Sequence, residues 1–391
     1  MRRDPERYRA ARRSAYRAVD HRQLPHRALI VHGTRALLCR RQTLTNRKPT
    51  IDDVAALSGV GRTTVSRVLN DGPNVSAKVR ERVLSAVATL GYQVNIQARF
   101  LAGGSSRTLA LICAADVENE PNSYYQAALE VGALRACAPL GFHLVIHSVV
   151  QTRPDLADEI VQLAEDSRAT GAMLTPPFSD DPALVRRLER AGCAVVCISP
   201  GPLSHGAAPA VGMDDEAAGH ALTQALLDLG HRRFGFIKGL EHHLSAEERY
   251  RGTLRALADH GLDETAIVAV RGNFTFKSGK DRLPDLLAAT LPPTAIICAN
   301  DDTAVGALFA THQLGLNVPA DLSIASFDDT PVSALVWPPL TTIHQPIQEL
   351  SQRAVHILVD RLKSNGKTGA AALEYLPFTL MIRQSTAAPA A

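Results

Sequence analysis

No run of 18 or more apolar residues occurs in the 391-residue chain, which excludes an ordinary transmembrane helix. Met1-Arg2-Arg3-Asp4-Pro5 opens no apolar signal core, so a cytoplasmic location and no membrane partner are expected. The six cysteines are scattered without a CxxC pair, and Cys113, Cys197 and Cys298 sit inside apolar strand-like runs. Buried free thiols are the expected state, with no metal site. GxGxxG, GxxxxGK[ST], GxSxG and HExxH are all missing, so nothing points to an enzyme or to a cofactor.

What is present is a charge division hidden by the net +3. Residues 1 to 48 hold 14 Lys and Arg against 3 Asp and Glu, leaving 28 basic and 36 acidic residues downstream. A basic front on an acidic body suits a polyanion partner, although charge alone does not separate nucleic acid from a solvated tail. Residues 1–47 have no pattern able to pack a core and are expected to form a basic, disordered extension.

From Thr50 the pattern changes. Thr50-Ile-Asp-Asp53 has the form of a capping box, with Ile51, Val54 and Ala55 at helical spacing behind it. Gly59-Val60-Gly61 breaks that helix. Thr64, Val65, Val68 and Leu69 give a second short apolar face, stopped by Asp71-Gly72-Pro73. A third helix follows Ser76 as N-cap and ends at Gly91. Three short helices, two joined by a tight glycine turn, predict a helix-turn-helix unit. Its second helix exposes Arg62, Thr63, Thr64, Ser66, Arg67 and Asn70, side chains able to read base edges and phosphates, with Arg67 the best candidate for a bidentate guanine contact. On residue types alone the same face also reads as ordinary solvated surface.

After Gly103-Gly104-Ser105-Ser106 the chain alternates β-rich runs with amphipathic helices. The runs are 109–114, 143–148, 172–175, 194–199, 234–237, 267–270, 295–298 and 322–327. Strand followed by helix, about eight times over, predicts parallel sheets covered on both faces and divided between two lobes.

Lys48-Pro49-Thr50-Ile51-Asp52-Asp53-Val54-Ala55, Gly59-Val60, Thr63 to Asn70, Val75-Ser76-Ala77 and Leu90-Gly91-Tyr92 together resemble the lac repressor/galactose repressor family. The likeness runs to about Arg383, through Asn122-Ser-Tyr124-Tyr125, Gly230-His231-Arg232, Ser245 to Gly252, Asn300-Asp301-Asp302, Phe327-Asp328-Asp329 and Leu340 to Pro346. It implies an all-α helix-turn-helix DNA-binding domain plus an α/β effector domain of two Rossmann-like lobes, similar to periplasmic binding proteins. The implied domains are 48–93 for DNA binding, 94–106 for a hinge helix and linker, and 107–391 for effector binding and dimerisation.

By resemblance, DNA contacts fall on Thr50, Arg62, Thr63, Thr64, Ser66, Arg67, Asn70 and Ser76, and hinge contacts on Asn95, Ala98 and Leu101. Leu101 matches a leucine wedged into the minor groove. On periodicity alone it is an apolar linker residue. Gly61 stands where the family usually has Ser, and Val94 where it usually has Pro. The implied effector residues are Tyr124, Tyr125, His243, Ser245, Arg249, Phe274 and Asp301. Local readings compete at two of them: Ser245 with Glu248 reads as a capping box, and Asp301 could cap the helix beginning near Asp302. The implied partners are double-stranded operator DNA, a small-molecule effector and a second copy of the chain, in a homodimer or tetramer. The implied function is a transcriptional regulator, foremost a repressor of carbohydrate-utilisation genes, with a purine- or other metabolite-responsive corepressor logic as the alternative and an α/β enzyme or solute-binding protein as the competing class.

Overall fold

The structure, a computed structural model, describes residues 49–69, 72–92, 107–115, 124–150, 155–364 and 372–390. The basic extension 1–47, Asn70 and the hinge residues Asn95, Ala98 and Leu101 lie outside them. The described residues fall into two units, one N-terminal and one from Arg107 onward.

The first unit contains α1 (Ile51–Ser58), α2 (Arg62–Leu69) and α3 (Ala77–Leu90). The capping box forms as read: the Thr50 backbone N–H donates to Asp53 Oδ2 at 2.7 Å. Gly59 ends α1 in the left-handed region at φ 67°, and Gly91 ends α3 at φ 59°. Val54, Val65, Val68, Val83 and Ala86 make one small core, with Ile51, Leu69 and Leu90 packed at its edge. So small a core is marginal alone, and the capping box of α1 and the terminal glycines of α1 and α3 supply part of what it lacks.

The second unit holds two six-stranded sheets. The first sheet takes the order β11-β5-β4-β3-β1-β2, from β1 (Thr108–Ala115), β2 (His143–Val150), β3 (Gly171–Leu174), β4 (Ala194–Ile198), β5 (Ala210–Gly212) and β11 (Leu373–Tyr375), all parallel. The second takes the order β12-β10-β9-β8-β6-β7, from β6 (Phe234–Lys238), β7 (Ile267–Arg271), β8 (Ala295–Cys298), β9 (Ser323–Asp328), β10 (Thr341–His344) and β12 (Thr379–Met381), parallel except for β10 with β12. Each sheet is the floor of one lobe. The chain passes from one to the other after β5, after β10 and after β11.

Alternation decides which helices cover which face. Leu109, Leu111 and Cys113 point to the face covered by α4 (Tyr124–Leu140) and α12 (Ile347–Lys363), whereas Ala110 and Ile112 point to the face under α5 (Leu156–Asp166) and α6 (Pro182–Arg190). In lobe 2, α7 (Asp215–Asp228) and α8 (Leu244–Asp259) cover one face, and α9 (Phe276–Leu287) and α10 (Asp301–Gln313) the other.

Both helix pairs of lobe 2 cross on reciprocal glycines. A Cβ at Gly252 would lie 1.9 Å from the Glu216 carbonyl oxygen, and one at Gly219 would lie 2.1 Å from that of Arg249. Gly279 and Gly306 repeat the arrangement across α9 and α10, at 1.9 Å from the carbonyls of Thr303 and Phe276. At all four positions the obstacle is facing backbone, which a rotamer change cannot clear. Cys113, Cys137, Cys193, Cys197 and Cys298 are free and buried, as the scattered spacing predicts. No helix among the described residues is long and apolar enough to cross a membrane.

Candidate functional site

The N-terminal unit presents the outer face of α2. Burying Val65 and Val68 turns Arg62, Thr63 and Arg67 outward, with Thr64 and Ser66 half-buried beside them. Arg62 has a loose, exposed ion pair with Asp52 at 3.8 Å, and no described carboxylate pairs with Arg67. Thr50 is half-buried at the start of α1. Ser76 is the N-cap of α3, as read, and its hydroxyl makes no cap hydrogen bond. A Cβ at Gly61 would meet nothing within 4 Å, so the missing side chain leaves an open spot at the head of α2.

In parallel α/β sheets the crevice lies beyond the carboxyl ends of the strands. The structure gathers the chemistry there on Arg249, which is 5% exposed on α8. Its Nε donates to Asp215 Oδ1 at 2.8 Å, Nη1 to the Ala299 carbonyl at 2.7 Å and to Asp328 Oδ1 at 3.5 Å, and Nη2 to Gln345 Oε1 at 3.0 Å. The guanidinium also lies over the Phe327 ring, 4.8 Å from its centroid. Burial disfavours its charge, but the carboxylates of Asp215 and Asp328 outweigh that and raise the Arg249 pKa.

Asp328 is the counterpart with spare capacity. It ends β9 at φ 107°, next to Asp329 at φ 54°, and two consecutive non-glycine residues in this region mark strain concentrated at one point. Burial, only partly offset by Arg249, pushes its carboxyl up to about 7, and the charge of Asp301 adds to the rise. Relative to an ordinary carboxyl near 3.8, the folded chain keeps a proton that the unfolded chain releases, so this group's contribution to stability is present below pH 4 and lost as pH rises through 7. Asp328→Asn is therefore expected to gain stability relative to wild type as pH rises from 4 to 7, with a limiting slope of about 1.4 kcal/mol per pH unit, and to level off above 7. Calorimetric profiles of the two proteins that run parallel with pH would contradict this.

Asp301 sits behind that carboxylate, 1% exposed, and its two oxygens accept from Ser326 Oγ (2.6 Å), the Thr330 backbone (2.7 Å) and hydroxyl (2.9 Å), and Thr342 Oγ1 (2.9 Å). Four donors occupy it. Capping of α10 belongs instead to Asn300, whose Oδ1 accepts from the Thr303 backbone at 3.1 Å. The Ser245 capping box does not form: α8 starts at Leu244 with His243 as N-cap, which leaves Ser245 two residues past the cap position, its hydroxyl 3.2 Å from His243 Nδ1. Burial, with Arg249 adding to it, lowers the His243 pKa to about 3, so the imidazole is neutral.

Phe274 stands against His243 with ring centroids 4.7 Å apart. It is held at φ 67° by Asn300 Nδ2, which donates to its carbonyl at 2.9 Å, and its ring fills the space where Gly239 has no side chain. Of the tyrosine pair, Tyr124 is exposed, whereas Tyr125 packs on the lobe 1 core. Burial raises the Tyr125 phenol pKa, and the charge of Asp328 reaches it from lobe 2. Tyr125, His243, Ser245, Arg249 and Phe274 thus line one region, together with Asp215, Asp328 and Gln345, which are not among the effector residues implied by the family resemblance. The signal for two of these lay in Phe327-Asp328-Asp329 and in Leu340 to Pro346, motifs recognised without being given a role. Among the described residues no group of His, Cys, Asp or Glu is placed to hold a metal ion.

Residues 50–95 match the family model of bacterial regulatory proteins, lacI family, and residues 223–386 match the periplasmic binding protein-like domain. The transcriptional regulator CelR of Thermobifida fusca is 31% identical over 87% of this chain and 98% of its own length. The chain belongs to the lac repressor family. Members of this family are DNA-binding transcription regulators, not enzymes, and the two units described above are the family's helix-turn-helix and its periplasmic-binding-protein-like lobes. The solved complex of CelR with cellobiose has a TM-score of 0.65 at 30% identity, covering 86% of this chain and 99% of that one. The lac repressor dimer bound to operator and the anti-inducer ONPF has a TM-score of 0.71 at 28% identity, covering 88% of this chain and all of the other.

Proposed function

We propose that this family member represses carbohydrate-utilisation genes and that a neutral sugar or sugar derivative held between its lobes sets its operator affinity. The observation that carries the reading is the buried constellation on Arg249. A guanidinium, the carboxyl of Asp328 and the amide of Gln345 are fixed side by side, able to bridge adjacent hydroxyls. Phe274 and Tyr125 supply apolar walls, and the neutral His243 adds no charge for an anionic ligand. With Asp301 occupied by four donors, Asp328 is the carboxylate we assign to effector hydroxyls. CelR, the relative solved with cellobiose, supports the same class of ligand.

A homodimer follows from what one module can read, a half-site, and the lac repressor relative is a dimer on its operator. Leu335 and Trp337 on lobe 2 are 78% and 79% exposed, an apolar pair suited to a second copy. Arg62, Thr63, Thr64, Ser66 and Arg67 are assigned to the operator, with Thr50 and Ser76 on flanking phosphates.

The test is a titration of labelled promoter DNA from neighbouring genes, with and without a panel of sugars and nucleobases. Release of DNA by a sugar is the expected result. Failure of any promoter DNA to bind at moderate salt overturns the regulator reading, and a response to nucleobases alone overturns the sugar assignment. Arg67→Ala is expected to cost about 1 to 3 kcal/mol and to relax preference at one operator position. An equal loss on every sequence would assign Arg67 to phosphate.

A further inference from the structure

Helix α8 carries Arg249 and Ser245, yet its own start is incompletely capped. The N-cap residue His243 makes no side-chain cap hydrogen bond, and its ring is engaged with Phe274 and Ser245. The acceptor for the first backbone N–H comes from the other lobe. Leu244 N donates to Asp180 Oδ2 at 3.2 Å, while Asp180 Oδ1 accepts from Gly201 N at 2.7 Å. Asp180 ends a short 3₁₀ turn, Phe178–Asp180, beyond β3, and Gly201 follows β4, so both belong to lobe 1. A carboxylate at this position meets orphan N–H groups and the positive end of the helix dipole together.

Gly201 is required for a related reason. Its φ of −71° suits any residue, so its backbone conformation makes no demand for glycine. A Cβ there would fall 2.1 Å from Leu244 Cβ and 2.7 Å from Leu244 Cδ1. Only the approach of the opposite lobe excludes a side chain.

We infer that Asp180 and Gly201 form the closing seam between the lobes: Asp180 caps the Arg249 helix from across the crevice, and the bare Gly201 sets how closely the lobes meet. Asp180 is a positioning residue, acting through α8 and not on a ligand. The seam itself rests on the two-lobed fold; its effect on operator binding rests on the regulator reading above.

The test therefore reads the lobes of the full chain without DNA or effector, by hydrogen exchange and by small-angle scattering. Asp180→Asn and Gly201→Ala are each expected to speed exchange across residues 240–250 by about five- to tenfold, the loss expected for one hydrogen-bonded contact, and to enlarge the particle. Peptides from β1 and β3 should keep wild-type rates. Adding Leu244→Gly to Gly201→Ala removes the opposing Cβ and should restore the compact scattering curve. The inference is overturned if both single variants match wild type across residues 240–250. It is equally overturned if Gly201→Ala accelerates only lobe 1 peptides, because the glycine would then serve lobe 1 alone. Failure to bind any promoter DNA would leave these measurements unaffected, so the two readings fail separately.

Discussion

Arg249→Ala is expected to lower the stability of the two-lobed unit by about 3 to 5 kcal/mol, the cost of leaving buried charges without their partner. Asp215, Asp328, Gln345 and the Ala299 carbonyl all lose a donor at once, and all four residues are buried. For a unit of this size the transition in a thermal melt should fall by roughly 10 °C. Acidification should narrow the gap. The stranded carboxylates can neutralise by taking up protons, so the difference from wild type at pH 5 is expected to be smaller than at pH 8. A loss independent of pH would mean that the damage comes from missing volume. Operator binding without effector should survive where the fold does, while release by sugar is lost.

The second large effect is expected at a residue with no functional group. Gly252→Val places two methyl groups on a Cβ that already lies 1.9 Å from the Glu216 carbonyl oxygen. The α7 and α8 backbones must separate, at a cost of about 3 kcal/mol or more, near the upper end for overpacked sites. Urea unfolding measures it directly. Because Asp215 and Arg249 lie on the two helices being pushed apart, effector response should be impaired even where the variant stays folded. A folded variant with unaltered sugar response would show that the crossing does not set the geometry of the ion pair.

All eight apolar runs read from the sequence became strands, because each is long enough to show its character and is bounded by helix-length polar segments. Four strands were not legible. β5, β11 and β12 have three residues each, too few to display a period, and β10 was hidden inside a stretch already singled out for other reasons. The helix-turn-helix was legible because a capping box, a glycine turn and a terminal glycine are local signals. Arg249 could be picked out through the family resemblance of Ser245 to Gly252, not by a local signal. Its partners could not, since Asp215, Asp328 and Gln345 come from positions 34, 79 and 96 residues away, and only the sheet order converges them. Ser245 shows the converse. A local pattern of capping type was present, but α8 begins two residues earlier than Ser245 would cap it, and a carboxylate from the other lobe supplies the acceptor.

The reciprocal glycines of α7 and α8 also bear on the thermodynamics of recognition. Gly219 faces the carbonyl of Arg249 itself, so the backbone that carries the guanidinium is pinned to the helix that carries Asp215. An arginine side chain free in solution has about 2 kcal/mol of rotamer entropy to lose. Here folding has already removed it, so the effector proposed above would meet a preorganised donor and need not order one. If the proposed sugar response holds, affinity differences among sugars should then arise mainly from the fit of their hydroxyls and from the approach of lobe 1, with lobe 2 acting as a rigid template.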